Sequence, residues 1–140
     1  HAPVSNSPDT GKSFADDVAS VLPKLNAYTQ QTMWVFLNSG PVSVVARKDD
    51  RSVVLVRSRR RDHLEAALRE WDGEIIETPD ADYRFRASLA KGTWAVILTE
   101  HTMKIDYPNF KDSIKDGEVK TTAMKVWSIL AVAFGAYGRN

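Results

Sequence analysis

The sequence predicts an α+β domain, an antiparallel sheet of about five strands (a β-meander, a helix and two further strands) with helices packed on one face. Residues 33–58 contain three apolar runs of strand length, separated by short polar turns, which is typical of a meander. Residues 83–89 alternate between apolar and polar side chains, as in a half-buried strand. Other segments carry apolar residues three and four apart, which indicates amphipathic helices.

The first half of this domain is predicted from its turns. Strands over 33–37, 42–46 and 52–58 are separated by a turn at 38–41, which contains glycine and proline, and by a charged turn at 48–51. A helix follows, with Asp62 as a candidate N-cap and the pair Asp72-Gly73 as its stop.

The second half continues with strands over 74–78 and 83–89. Helical spacing then returns over 93–105, over a short segment at 110–114 and over 119–134. The predicted order is therefore β-β-β-α-β-β-α-α-α, a single domain spanning 33–140.

Residues 1–32 are predicted to be an extension of this domain. The first twelve residues contain two prolines and two serines with little to bury, which favours a flexible arm. An apolar stripe from Phe14 to Tyr28 then predicts an amphipathic helix, interrupted by Pro23. Such a helix has a face to bury, so we expect it to be a candidate surface for homodimerisation.

Composition limits the function more than it defines it. The net charge of +1 provides no global attraction to nucleic acid or membrane, so any basic site must be local. The absence of cysteine excludes disulfides and thiolate chemistry. No apolar run reaches the ~20 residues of a membrane span, and we expect a cytoplasmic protein that does not engage membranes.

Arginines form a local basic cluster at the end of the third strand. Arg57, Arg59 and Arg61 share one face if the strand continues that far, and Arg84 and Arg86 lie on the polar face of another strand. If the two strands are neighbours, the sheet presents a basic surface for a phosphate backbone or an acidic protein. The alternative is a solvated face whose arginines pair with nearby carboxylates.

A second candidate binding region is the corner formed by residues 105–111. Pro108 restricts the preceding residue, and Asp106 or Asn109 could cap the helix that follows. Asp106, Asn109 and Lys111 are therefore predicted to lie on a fixed corner that joins two helices, and they are candidates for contact with a partner.

No catalytic, metal-binding or cofactor motif accompanies these regions in the sequence. We therefore expect no cofactor and no metal, and favour a binding module over an enzyme. The alternative is a small enzyme or ligand-binding protein with a pocket near Asp106, His101 and Tyr83, although a histidine on an apolar helix face is more often a satisfied core residue.

Several short strings of this sequence resemble a family of small bacterial and phage-borne proteins to which no activity is assigned. The matching strings are Met33-Trp34-Val35-Phe36, Leu55-Val56-Arg57-Ser58-Arg59, Ala81-Asp82-Tyr83-Arg84-Phe85-Arg86, the corner at 105–111 and Val126-Trp127-Ser128. The similarity runs from Met33 to about Ser128 and departs at Arg84, where the family has proline. It implies a domain that starts near Met33. The resemblance implies no function. The arginine cluster and the absence of a nucleophile or metal set favour a non-enzymatic module that binds a protein or a nucleic acid through its basic sheet face.

Overall fold

The computed structural model describes residues 32–135. The predicted arm, the predicted N-terminal helix and its proposed dimer surface lie outside the described residues.

The described part contains a five-stranded antiparallel sheet with helices on one side, which confirms the predicted α+β class. The strands are β1 (Met33–Leu37), β2 (Gly40–Ala46), β3 (Val53–Ser58), β4 (Ile76–Glu77) and β5 (Phe85–Ala90). Their spatial order is β1-β2-β3-β5-β4. The first three strands form the meander, and β5 returns beside β3 so that the short β4 occupies an edge.

Four helices complete the described part. They are α1 (Arg61–Leu68), α2 (Lys91–Met103), α3 (Phe110–Ser113) and α4 (Gly117–Ala133). The order of strands and helices is the predicted one, because each element carries its own periodicity and is bounded by its own turn residues.

The main core lies between one face of the sheet and the helices α1 and α2. Every second residue of the central strands points to this face, as the two-residue period of a strand requires. The buried side chains from the sheet are Val42, Val44, Val54, Val56, Ala87 and Leu89, and those from the helices are Leu64, Ala67, Leu68, Trp94 and Ile97.

A smaller apolar cluster fastens α3 and the first turns of α4. Ile114, Val119 and Ala123 are buried there, packed with Phe36 and Phe110. Phe36 alternates along β1 with Val35 and Leu37, which pack against the main core, so this cluster uses the opposite side-chain parity of β1.

Helix α1 ends earlier than the sequence predicts. It stops at Leu68 because Arg69 adopts φ 58° and ψ −119° while its N–H still donates to the Glu65 carbonyl. Asp62 is not its N-cap. Arg60 holds that position, and Asp62 lies in the first turn, where a carboxylate interacts favourably with the helix dipole.

Candidate functional site

One cross-strand row brings together the residues of greatest functional interest. Trp34 on β1 lies opposite Ser43 on β2, Ser43 opposite Arg57 on β3, and Arg57 opposite Arg86 on β5. Residues paired in this way project from the same face of a sheet. Because their neighbours Val44, Val56 and Ala87 face the main core, the row lies on the other face. The predicted adjacency of the two arginine-bearing strands is therefore observed.

Arg57 and Arg86 are held in place by short polar contacts. The Arg57 Nη2 donates to Ser43 Oγ at 2.9 Å, and the Arg86 Nη2 donates to the Tyr83 carbonyl at 3.1 Å. The Arg57 guanidinium carbon lies 4.6 Å from the centre of the Tyr83 ring, within the range of a cation–π contact. Both side chains are half-buried, and the Nε of each is buried without a hydrogen-bond partner.

These two arginines differ from the other arginines that the sequence nominates. Within residues 32–135, neither Arg57 nor Arg86 forms an ion pair with a carboxylate. The others do: Arg59 with Asp82 at 2.9 Å, Arg61 with Glu65 at 3.3 Å and Arg84 with Glu77 at 2.6 Å. The alternative of a solvated, carboxylate-paired face therefore describes these three arginines. Arg57 and Arg86, by contrast, have no carboxylate partner within residues 32–135.

Two like charges directly opposite one another across a strand pair destabilise a sheet. An anion bound between Arg57 and Arg86 would relieve that repulsion and would give partners to guanidinium donors that have too few. The site is also preorganised, because Ser43 and Tyr83 already restrict both side chains, so that less conformational entropy is lost on binding.

Arg59 lies at the border of this site. Its guanidinium carbon is 4.3 Å from the centre of the same Tyr83 ring, and its side chain is 60% exposed. The hydrogen bonds to Asp82 raise the pKa of Arg59 above its ordinary value. The Tyr83 ring thus contacts the guanidinium groups of both Arg57 and Arg59, and Arg59 is also paired with Asp82.

Arg60, which lies between Arg59 and Arg61 in the sequence, joins two helices through its ion pairs. Its guanidinium contacts Asp62 at 2.6 Å, Asp116 at 3.0 Å and Glu118 at 2.5 Å, and so it joins the start of α1 to the start of α4. Asp116 also caps α4 by accepting from the N–H groups of Glu118 and Val119. The bond from the Val119 N–H, followed by that from Arg60, lowers the pKa of Asp116.

The corner at 105–111 has mainly structural contacts. Asn109 is the N-cap of α3, its Oδ1 accepting from the Asp112 N–H at 3.3 Å. Lys111 Nζ lies 4.2 Å from the centre of the Trp127 ring, and Asp106 is exposed. Phe110 packs edge-on against Phe36 with ring centres 5.9 Å apart. These contacts join the corner to β1 and α4, and they do not bring it into the row of Arg57 and Arg86.

His101 and Tyr83, two residues of the alternative pocket, have separate contacts. His101 Nε2 lies 2.7 Å from the Ala67 carbonyl oxygen, a contact that ties α2 to α1, whereas Tyr83 contacts the arginines. Two depressions adjoin Trp71 on the surface, and neither is lined by Asp106, His101 or Tyr83. Among residues 32–135 no group of three or more histidine or carboxylate side chains could hold a metal ion.

Sequence reasoning missed Trp34 as a functional candidate. Its side chain is 83% exposed, although it stands in a strand and belongs to the same row as Arg57. The alternation of β1 shows which neighbours share its face, but the strand pairing that brings it beside arginines is not visible in the sequence.

Comparison with protein-family models, with curated proteins and with solved structures returned no match, so function must be inferred from this chain's own side chains. None of the helices within residues 32–135 has the length and apolar character to cross a membrane.

Proposed function

We propose that this protein is a non-enzymatic binding module that engages nucleic acid through the phosphate groups of its backbone. The proposal rests on the Arg57–Arg86 pair, two cross-strand guanidinium groups without a carboxylate partner in the described part of the chain. Guanidinium groups bind phosphate oxygens through two parallel hydrogen bonds, which makes arginine well suited to such contacts.

The distribution of charge predicts that the protein contacts only a few phosphate groups of the nucleic acid. The total charge of +1 supplies no long-range field, and the nearby Arg59, Arg61 and Arg84 are each paired with a carboxylate. Binding should therefore depend on two phosphate contacts at its centre and stay modest in affinity. For single strands each contact contributes about 0.7 to the slope of log K against log salt, so the slope should be about −1.4.

The test is fluorescence anisotropy of labelled oligonucleotides titrated with the full chain at several salt concentrations. The double variant Arg57→Gln/Arg86→Gln should weaken binding about tenfold or more and bring the salt slope close to zero. The matched control is Arg61→Gln/Arg84→Gln, which removes the same formal charge from arginines that are already paired and should change affinity less than threefold. Thermal unfolding of both variants establishes that each is folded.

Two results would contradict the proposal. Equal weakening by the two double variants would show that binding follows net charge and not this site. Binding of a poly-glutamate peptide with the same dependence on Arg57 and Arg86, without binding of oligonucleotides, would assign the surface to an acidic protein partner. Homodimerisation through the predicted N-terminal helix and a cytoplasmic location stay predictions.

A further inference from the structure

We propose that Trp34 is a base-stacking residue and that the nucleic acid bound by this sheet is single-stranded. This inference rests on the proposed function and specifies it further. Its starting point is the exposure of Trp34, which at 83% exceeds that of every other large apolar side chain within residues 32–135. An exposed tryptophan in a strand gains little from packing, whereas stacking on a nucleobase would bury it.

The position of Trp34 suits a nucleotide whose phosphate lies on the arginines. Trp34 and Arg57 are separated along the row only by Ser43, and two strand spacings correspond to about 10 Å between their backbones. Ser43 is small, and the Arg57 guanidinium reaches towards it to donate to its Oγ. The row thus places the exposed aromatic side chain of Trp34 and the cationic group of Arg57 on either side of Ser43, which is itself only 3% exposed.

This arrangement discriminates between single and double strands. The bases of a duplex are stacked on one another and cannot stack on a side chain without being extruded, whereas every base of a single strand presents its face. A base–aromatic contact also tolerates any sequence, because all bases have a π-face. We therefore infer weak sequence preference together with a preference for single strands.

The test compares Trp34→Ala and Trp34→Phe with the full wild-type chain by anisotropy. The probes are labelled oligothymidine, an abasic strand of equal length and a duplex. Trp34→Ala should weaken oligothymidine binding about tenfold, within the range measured for loss of a stacked aromatic side chain, and Trp34→Phe should largely restore it. Binding to the abasic strand and to the duplex should change less than twofold. The matched control is Met103→Ala on α2, which removes a side chain that is 78% exposed.

The outcomes separate this inference from the proposed function. If Trp34→Ala leaves oligothymidine binding unchanged while Arg57→Gln/Arg86→Gln abolishes it, the phosphate site stands and the stacking role is refuted. An equal loss for oligothymidine and the abasic strand would also refute stacking. If no probe binds to the wild-type chain, both proposals fail.

Discussion

The substitution Gly40→Ala examines the packing that supports the sheet beside the site. Gly40 opens β2 with φ 136°, a conformation that residues with a Cβ rarely adopt. A Cβ at this position would lie 2.7 Å from His63 Nδ1 and closer still to two ring carbons. His63 is only 8% exposed, so its ring has little room to move away.

The magnitude follows from two costs. Backbone strain at such a φ amounts to about 1–3 kcal/mol, and forcing extra volume into a packed site costs about 1–3 kcal/mol more. Gly40→Ala should therefore lower the free energy of unfolding by roughly 2–6 kcal/mol, a large part of the stability of a small domain.

Equilibrium urea unfolding measures this change, and Gly92→Ala provides the control. Gly92 is the second residue of α2, and nothing lies within 4 Å of a Cβ built on it. The same chemical change should there stabilise the protein by about 0.4–1 kcal/mol, because alanine restricts the unfolded chain. A Gly40→Ala loss below ~1 kcal/mol, or an equal loss in both variants, would refute the assigned contact with His63.

Three further predictions concern charge. Asp82→Asn releases Arg59 from its carboxylate, so oligonucleotide affinity should rise about threefold and the salt slope should steepen by about 0.7, as anisotropy would show. Burial lowers the pKa of His63 below its ordinary 6.5, so the unfolded chain binds a proton more readily than the folded chain does. The free energy of unfolding should therefore fall as the pH drops below 6.5. In urea titrations between pH 7 and 5, His63→Gln should make the free energy of unfolding depend less on pH. The pKa of Asp116 lies below its ordinary 3.8, so its contribution is present above that pH and should be lost on acidification below it. Asp116→Asn should reduce the acid sensitivity of the urea midpoint between pH 4 and 2.

The sequence by itself determined the type of each element and the order of the elements, although β4 (Ile76–Glu77) is shorter than the strand predicted over 74–78. Periods of two and of three to four residues identify strands and helices because they report which side chains each element must bury. Local turn residues mark most boundaries for the same reason. α1 is an exception, since Arg69 rather than Asp72-Gly73 ends it, through a positive φ that arginine rarely adopts.

The candidate site was only half predictable. The alternation of β5 places Arg86 on the polar face, and the cluster in β3 nominates Arg57, so the residue types and their faces were available from sequence. Which arginines lack a carboxylate partner was not predictable, because the ion pairs of Arg61 with Glu65 and of Arg84 with Glu77 depend on side-chain geometry.

Only the tertiary structure placed Trp34 and Arg57 in one row. Strand register depends on pairing between segments that are distant in sequence, and a slip of one residue would send every side chain of a strand to the other face. What sequence predicts and what only tertiary structure decides differ in the separation of the interacting residues along the chain. Periodicity depends on residues that are close in sequence. The row of Trp34, Ser43, Arg57 and Arg86, by contrast, exists only once the strands have paired.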